Sequence, residues 1–89
     1  MAYFVYILYS KADRGLYVGY TRNTEKRLAR HNAGYVKATQ SRRPLELIHK
    51  EIYKTKTEAF NRERFLKSSW SARFKQKILK DYINKVSHD

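Results

Sequence analysis

From Tyr3 to Ser10 the chain reads YFVYILYS, aromatic or aliphatic at every position before the closing serine. Strand side chains alternate, so Tyr3, Val5, Ile7 and Tyr9 share one face and Phe4, Tyr6 and Leu8 the other. A strand apolar on both faces belongs in the middle of a sheet. The polar segment KADRG ends in Gly15, and LYVGY then resumes the strand pattern, which predicts a hairpin with its loop at Lys11 to Arg14. If Ser10 faces Gly15, Tyr6 faces Gly19 and Leu8 faces Tyr17. Tyr6 and Tyr17 then lie on one face as diagonal neighbours, about 7–8 Å apart at the backbone. Gly19 carries no side chain, so the pattern predicts open space above it, where a ligand could approach.

The period changes at NTEKRLARHNAG, which predicts a short helix with Asn23 or Thr24 as N-cap, Glu25 in the first turn and Gly34 just past the end. Arg27 and His31 stand one helical turn apart and share a face with Thr24. Residues 35–44, YVKATQSRRP, are polar and basic and stop at the single proline, which predicts an ordered, exposed loop. LELIHKEIY predicts a third strand whose mixed alternation suits a sheet edge. From Lys56 the period is helical again, with Ala59, Glu63, Leu66 and Trp70 on one stripe. Glu63 is the odd member of that set. SARFKQKILKDYI predicts a last helix over about residues 71–84, with Phe74, Ile78 and Tyr82 at intervals of four. There is no internal repeat, low-complexity tract or linker. Three strands and three helices in this order predict an α/β chain of the α+β kind.

At 89 residues the chain is long enough for one modest core, so a single domain is expected over residues 1–89. Its 20 Lys and Arg against 8 Asp and Glu leave a formal net charge of +12, far more than the acids can pair, and that field favours a polyanionic partner. No apolar run approaches the roughly 20 residues that span a bilayer, and the start lacks a secretory layout. A cytoplasmic protein without a membrane partner is expected. With no cysteine, thiolate nucleophiles, disulfides and cysteine-ligated zinc are excluded, and the 15% aromatic content must supply much of the packing. His49 and His88 have no partner at a metal-site spacing.

Singly, the candidate residues have plain explanations. Tyr6 and Tyr17 suit a hairpin core, Arg27 and His31 a solvated helix face, and Glu63 an ordinary pair with Lys67 at the next turn. Lys11, Arg14, Arg22, Lys26, Lys37, Arg42 and Arg43 suit solubilising charge. The order and spacing change the balance. FVY, ten intervening residues and YVG resemble the two signature tripeptides of the GIY-YIG nuclease superfamily. The likeness continues through YVGYTRNTEKRLARHNAG, with arginine ten residues after the second signature tyrosine and histidine four beyond, and through RRPLELI and EAFNRERFLK. It covers roughly residues 3–70 and is nearest to the small stand-alone branch. Phe4 and Val5 replace the Gly-Ile of the first signature, Val18 replaces an isoleucine, and Tyr20 stands where some members have lysine.

The resemblance implies a GIY-YIG endonuclease-like fold, a three-stranded antiparallel sheet flanked by helices. It also implies a metal-dependent endonuclease acting on DNA, with RNA as the alternative substrate and branched, damaged or single-stranded structures as plausible targets. In that scheme Tyr17 takes the proton of the attacking water while Tyr6 holds that water or shares the role. An unperturbed tyrosine titrates near pH 10, so the step needs nearby positive charge to favour the phenolate. Arg27 would clamp the non-bridging oxygens, and His31 would hydrogen-bond the phosphate or shuttle a proton. Glu63 would hold one Mg²⁺ or Mn²⁺ ion whose other ligands are substrate oxygens and water. Arg22, Lys26, Lys37, Arg42 and Arg43 are the candidate backbone contacts. Two other readings stay open: a nucleic-acid-binding module that cuts slowly or not at all, and an interaction protein whose tyrosine-rich face packs on a partner.

Overall fold

Ser10 turns the chain at the end of the first strand. Its N–H donates to the Gly15 carbonyl at 2.9 Å, and its hydroxyl oxygen accepts from the Ala12 and Asp13 N–H groups. This closes the hairpin between β1 (Tyr3–Ser10) and β2 (Leu16–Thr21) in the expected register, Tyr6 opposite Gly19 and Leu8 opposite Tyr17. The computed structural model describes residues 1–87, so His88 lies outside the described residues. After the hairpin come α1 (Thr24–Ala33), a 3-10 helix (Lys37–Arg42), β3 (Leu45–Tyr53), α2 (Lys56–Lys67), a 3-10 turn (Ser69–Ser71) and α3 (Ala72–Ser87). The sheet is antiparallel throughout with order β2-β1-β3, so β1 is the central strand and β3 an edge.

Each face of β1 has its own cover, which is why it is apolar on both. Tyr6 and Leu8 pack with Leu45, Leu47, Tyr17 and Leu28 of α1. Val5 and Ile7 pack on the other side with Val18, with Ala59 and Leu66 of α2 and with Ile78 of α3. The mixed alternation of β3 comes from a bulge. Ile7 pairs with His49 but Leu8 pairs with Leu47, so Ile48 is an extra residue that shifts the pleat by one. As a result Leu45 and Leu47 face α1, while His49, Glu51 and Tyr53, though also odd-numbered, face the α2 side.

Asn23 caps α1, its side chain accepting from the Lys26 N–H at 3.0 Å, and Gly34 closes it in the left-handed region at φ 87°. Thr55 and Glu58 form a reciprocal capping box at the start of α2. Glu51 ties α2 to β3: its carboxylate accepts from Arg62 at 2.8 and 3.0 Å, from His49 at 2.8 Å and from Tyr53 at 2.7 Å. The Arg62 guanidinium is itself covered by the Phe74 and Phe65 rings, 4.9 and 5.3 Å away.

Three expectations need correction. The loop over residues 35–44 contains a 3-10 helix and is partly internal. Thr39 is fully buried, the Ser10 hydroxyl donates to the Arg42 carbonyl at 2.6 Å, and the Asn32 side chain exchanges two hydrogen bonds with the Leu45 backbone. Trp70 does not continue the α2 stripe. The helix stops at Lys67 because Ser68 is extended, Ser71 turns inward to donate to the Leu66 and Ser68 carbonyls, and the indole is left 86% exposed. The last helix runs three residues beyond the expected 84, to Ser87, and buries no residue fully. No helix among the described residues is long and apolar enough to cross a membrane.

Candidate active site

The hairpin places the Tyr6 ring flat across Gly19. A Cβ added there would lie 2.5 Å from the Tyr6 hydroxyl oxygen and 2.6 Å from Cζ. The Tyr6 ring therefore fills the space directly above the glycine, while Gly19 still lines a cleft that opens beside it. That packing fixes the hydroxyl, which sits 3.0 Å from Nε2 of His31. His31 comes from the last turn of α1 and is fully buried, with the rings of Tyr6 and Tyr17 edge-on to it at 5.9 and 5.1 Å. Its other nitrogen, Nδ1, lies 2.7 Å from the Thr39 hydroxyl.

The hydrogens of this chain follow from Thr39. Its hydroxyl is 3.4 Å from the Val36 carbonyl, to which it can only donate, so its oxygen is the acceptor for Nδ1–H of a neutral imidazole. Nε2 is then bare and accepts the Tyr6 O–H. Burial and the adjacent Arg27 guanidinium both hold the His31 pKa below the ordinary histidine value, in keeping with the neutral form. Burial pushes the Tyr6 hydroxyl pKa up, Tyr17 and Glu63 add to this, and Arg27 only partly opposes it. Tyr6 stays a phenol with its proton committed to His31. Because both His31 nitrogens have protein partners, the imidazole does not face outward toward a phosphate, the first of the two roles the resemblance implied.

A cleft of about 590 Å³ opens beside this pair against β2. Tyr6, Tyr17 and Arg27 line it from the α1 side, and Glu63 and Lys56 reach it from α2. Tyr3, Tyr20 and Arg22 complete the rim, with the Arg22 guanidinium 5.4 Å from the centre of the Tyr3 ring. Glu63 is the only acid on this wall. Its side chain is 12% exposed, and one oxygen is 3.3 Å from the Lys67 ammonium, so it is at once a helix-surface pair and a cleft carboxylate. Among the described residues no group of three or more His, Cys, Asp and Glu could hold a metal. One carboxylate fits a hard cation that completes its shell with substrate oxygens and water, and does not fit one that needs a protein cage.

Chain residues 2–77 match the model of the GIY-YIG catalytic domain. The chain belongs to the GIY-YIG family. It is 44% identical to UPF0213 protein NP_0776A of Natronomonas pharaonis over 89% of this chain and 92% of that one. It is 42% identical to UPF0213 protein SH2523 of Staphylococcus haemolyticus over 89% and 95% of the two chains. The solution structure of UPF0213 protein BH0048 from Bacillus halodurans superposes with a TM-score of 0.52 at 32% identity, covering 90% of this chain and 84% of that one. The GIY-YIG family is a nuclease family, and this member's α+β fold, a three-stranded antiparallel sheet with helices, accords with that likeness.

Within this GIY-YIG domain Tyr6, Tyr17, Arg27 and Glu63 meet at one cleft, with His31 directly behind it. Of the five cations picked out for nucleic acid, only Arg22 reaches the cleft wall. Lys26 and Lys37 are exposed on α1 and at the start of the first 3-10 helix. Arg43 is also exposed, its Nε donating to the Gln40 carbonyl at 2.8 Å. Arg42 has structural work instead: it donates to Asp13 at 2.6 Å and to the Leu16 carbonyl, and with the backbone bond from Gly15 it holds the Asp13 pKa at about 2. Replacing Arg42 is therefore not silent for the fold. Thr39 went unnoticed in the sequence because a lone threonine in a polar stretch carries no periodic signal. Lys56, the first residue of α2, could have been found from its place just after the Thr55 cap.

Proposed function

We propose that this protein is a metal-dependent endonuclease that hydrolyses phosphodiester bonds in DNA. One observation carries the reading: two tyrosines, an arginine fork and a lone carboxylate converge on a single cleft whose remaining charges are cationic. The Tyr6 proton is engaged by His31, so the hydroxyl oxygen turns its free lone pair to the cleft and can orient a water. Tyr17 makes no such bond and is the residue left to accept that water's proton. Arg27, Arg22 and Lys56 line the same cleft and supply its positive charge. Arg27 also holds the non-bridging phosphate oxygens, where negative charge grows in the transition state.

Glu63 would hold one Mg²⁺ or Mn²⁺, which when bound supplies neutralisation of the phosphoryl and leaving oxygens. Lys67 would hold the carboxylate when no cation is bound. Arg22, Lys26, Lys37 and Arg43 would position the backbone of the substrate, DNA in the first place and RNA as the alternative. Incubation with duplex, single-stranded and branched DNA and RNA, with Mg²⁺, Mn²⁺ or chelator, tests the proposal. Cleavage of DNA that requires the cation and is lost in Tyr17→Phe is the expected result. Tight binding without cleavage in every metal would select a non-catalytic binding module.

A further inference from the structure

Trp70 is the only tryptophan in the chain, and with 86% of its surface free it is the most exposed large aromatic among the described residues. It is not loosely held. The turn that carries it is pinned by the fully buried Ser71, whose hydroxyl donates to the Leu66 carbonyl at 2.9 Å and the Ser68 carbonyl at 2.8 Å. A rigid post therefore presents a flat apolar surface to water. The chain on either side of it is cationic: Arg64 and Lys67 precede it, Arg73 follows, all exposed, and the only acid between Phe60 and Lys80 is Glu63, already paired with Lys67. Glu63 lines the cleft, and one helical turn to Lys67 plus three residues to Trp70 put the two backbone positions at most about 16 Å apart, within the reach of a strand of a few nucleotides.

An exposed aromatic face set among cations fits one kind of ligand, a polyanion that offers flat apolar rings. Paired bases inside a duplex have their faces covered by stacking, and only their edges are open in the grooves. The indole face can be covered only by a base that has left the stack. We propose that Trp70 is a stacking platform for an unpaired base on a strand whose phosphate lies in the cleft. This makes the substrate class a nucleic acid with a single-stranded stretch, such as an overhang, flap or gap. The inference rests on the reading of the cleft as a nucleic-acid site.

Trp70 also supplies its own reporter, since no other tryptophan contributes to the emission. Full-length protein in chelator is titrated with a mixed-sequence single-stranded DNA oligonucleotide and with the same sequence as a blunt duplex. The single strand should quench the indole emission and shield it from acrylamide, and the duplex should do neither. Trp70→Ala should weaken single-strand binding about five- to a hundredfold and duplex binding less than about twofold, while Trp70→Phe keeps most of the affinity. Equal quenching by both ligands, or equal losses in Trp70→Ala, would overturn the proposal. So would a blue shift that grows with protein concentration before DNA is added, which would assign the surface to a second copy of the chain. Single-strand quenching in a protein that cleaves nothing would keep the platform and remove the nuclease. Metal-dependent cleavage of blunt duplex, unchanged in Trp70→Ala, would do the reverse.

Discussion

Gly19 is bare because Tyr6 occupies the place a methyl group would take. Gly19→Ala would drive a Cβ to 2.5 Å from the Tyr6 oxygen, and the ring can yield only by moving away from His31. We expect a stability loss of about 1–3 kcal/mol, as for other overpacked sites, and a larger proportional loss of cleavage because the bond to His31 breaks. Thermal melts and initial rates on one preparation check this; unchanged cleavage would detach Tyr6 from the chemistry. Glu63→Gln keeps the side-chain size but removes the charge. It should cost no more than about 0.5 kcal/mol through the lost pair with the half-exposed Lys67, yet lower cleavage by at least about a hundredfold. DNA binding in chelator should stay or tighten. Equal rates in wild type and Glu63→Gln would remove the metal role. The sequence spacing put Tyr6 opposite Gly19 correctly, but register says nothing about which way a neighbour's ring lies, so the glycine suggested a vacancy.

Among the elements, β3 and α2 are joined by the Glu51–Arg62 pair as well as by apolar contact. Arg62 offers Glu51 two bonds while two aromatic rings keep water from it, and Arg62→Ala should cost about 2 kcal/mol, or about 10 °C in Tm for a domain of this size. A shift under 2–3 °C, read by calorimetry, would contradict that. Acid should unfold the chain in two stages. His31 titrates lower when folded than its ordinary value of 6.5, so the unfolded state takes the proton first and stability falls as the pH drops below about 6.5. Burial would raise the Glu51 pKa, but the bonds from Arg62, His49 and Tyr53 outweigh it and hold it at about 2. Its contribution is therefore intact above 4.5 and lost between there and about pH 2. Urea midpoints at pH 8, 5.5 and 3.5 should fall at each step; a flat profile from 8 to 5.5 would remove His31 from the account. The strands, the caps of α1 and the start of α2 were legible because caps and periods are local. The Glu51 cluster was not: His49, Glu51 and Tyr53 alternate along β3, but the bulge decides which face they take and only the docking of α2 brings Arg62 to them.

For the molecule as a whole the formal charge of +12 has two opposed effects. Three or four phosphate contacts should give log affinity a slope of about −3 against log salt on duplex DNA. The same salt should raise the thermal midpoint in the absence of nucleic acid by screening self-repulsion. Filter binding and melts over one salt series would test both, and a flat binding slope would make the charge irrelevant to recognition. The layering itself depends on a single inserted residue. With Ile48 present, the two leucines at the start of β3 serve the α1 layer and the acid-histidine-tyrosine set serves the α2 layer. Were Ile48 paired in regular alternation instead of bulged, one of these groups would turn to the wrong side of the sheet. The bulge thus lets Leu47 and His49, two positions apart, serve opposite faces, which an unbroken pleat forbids.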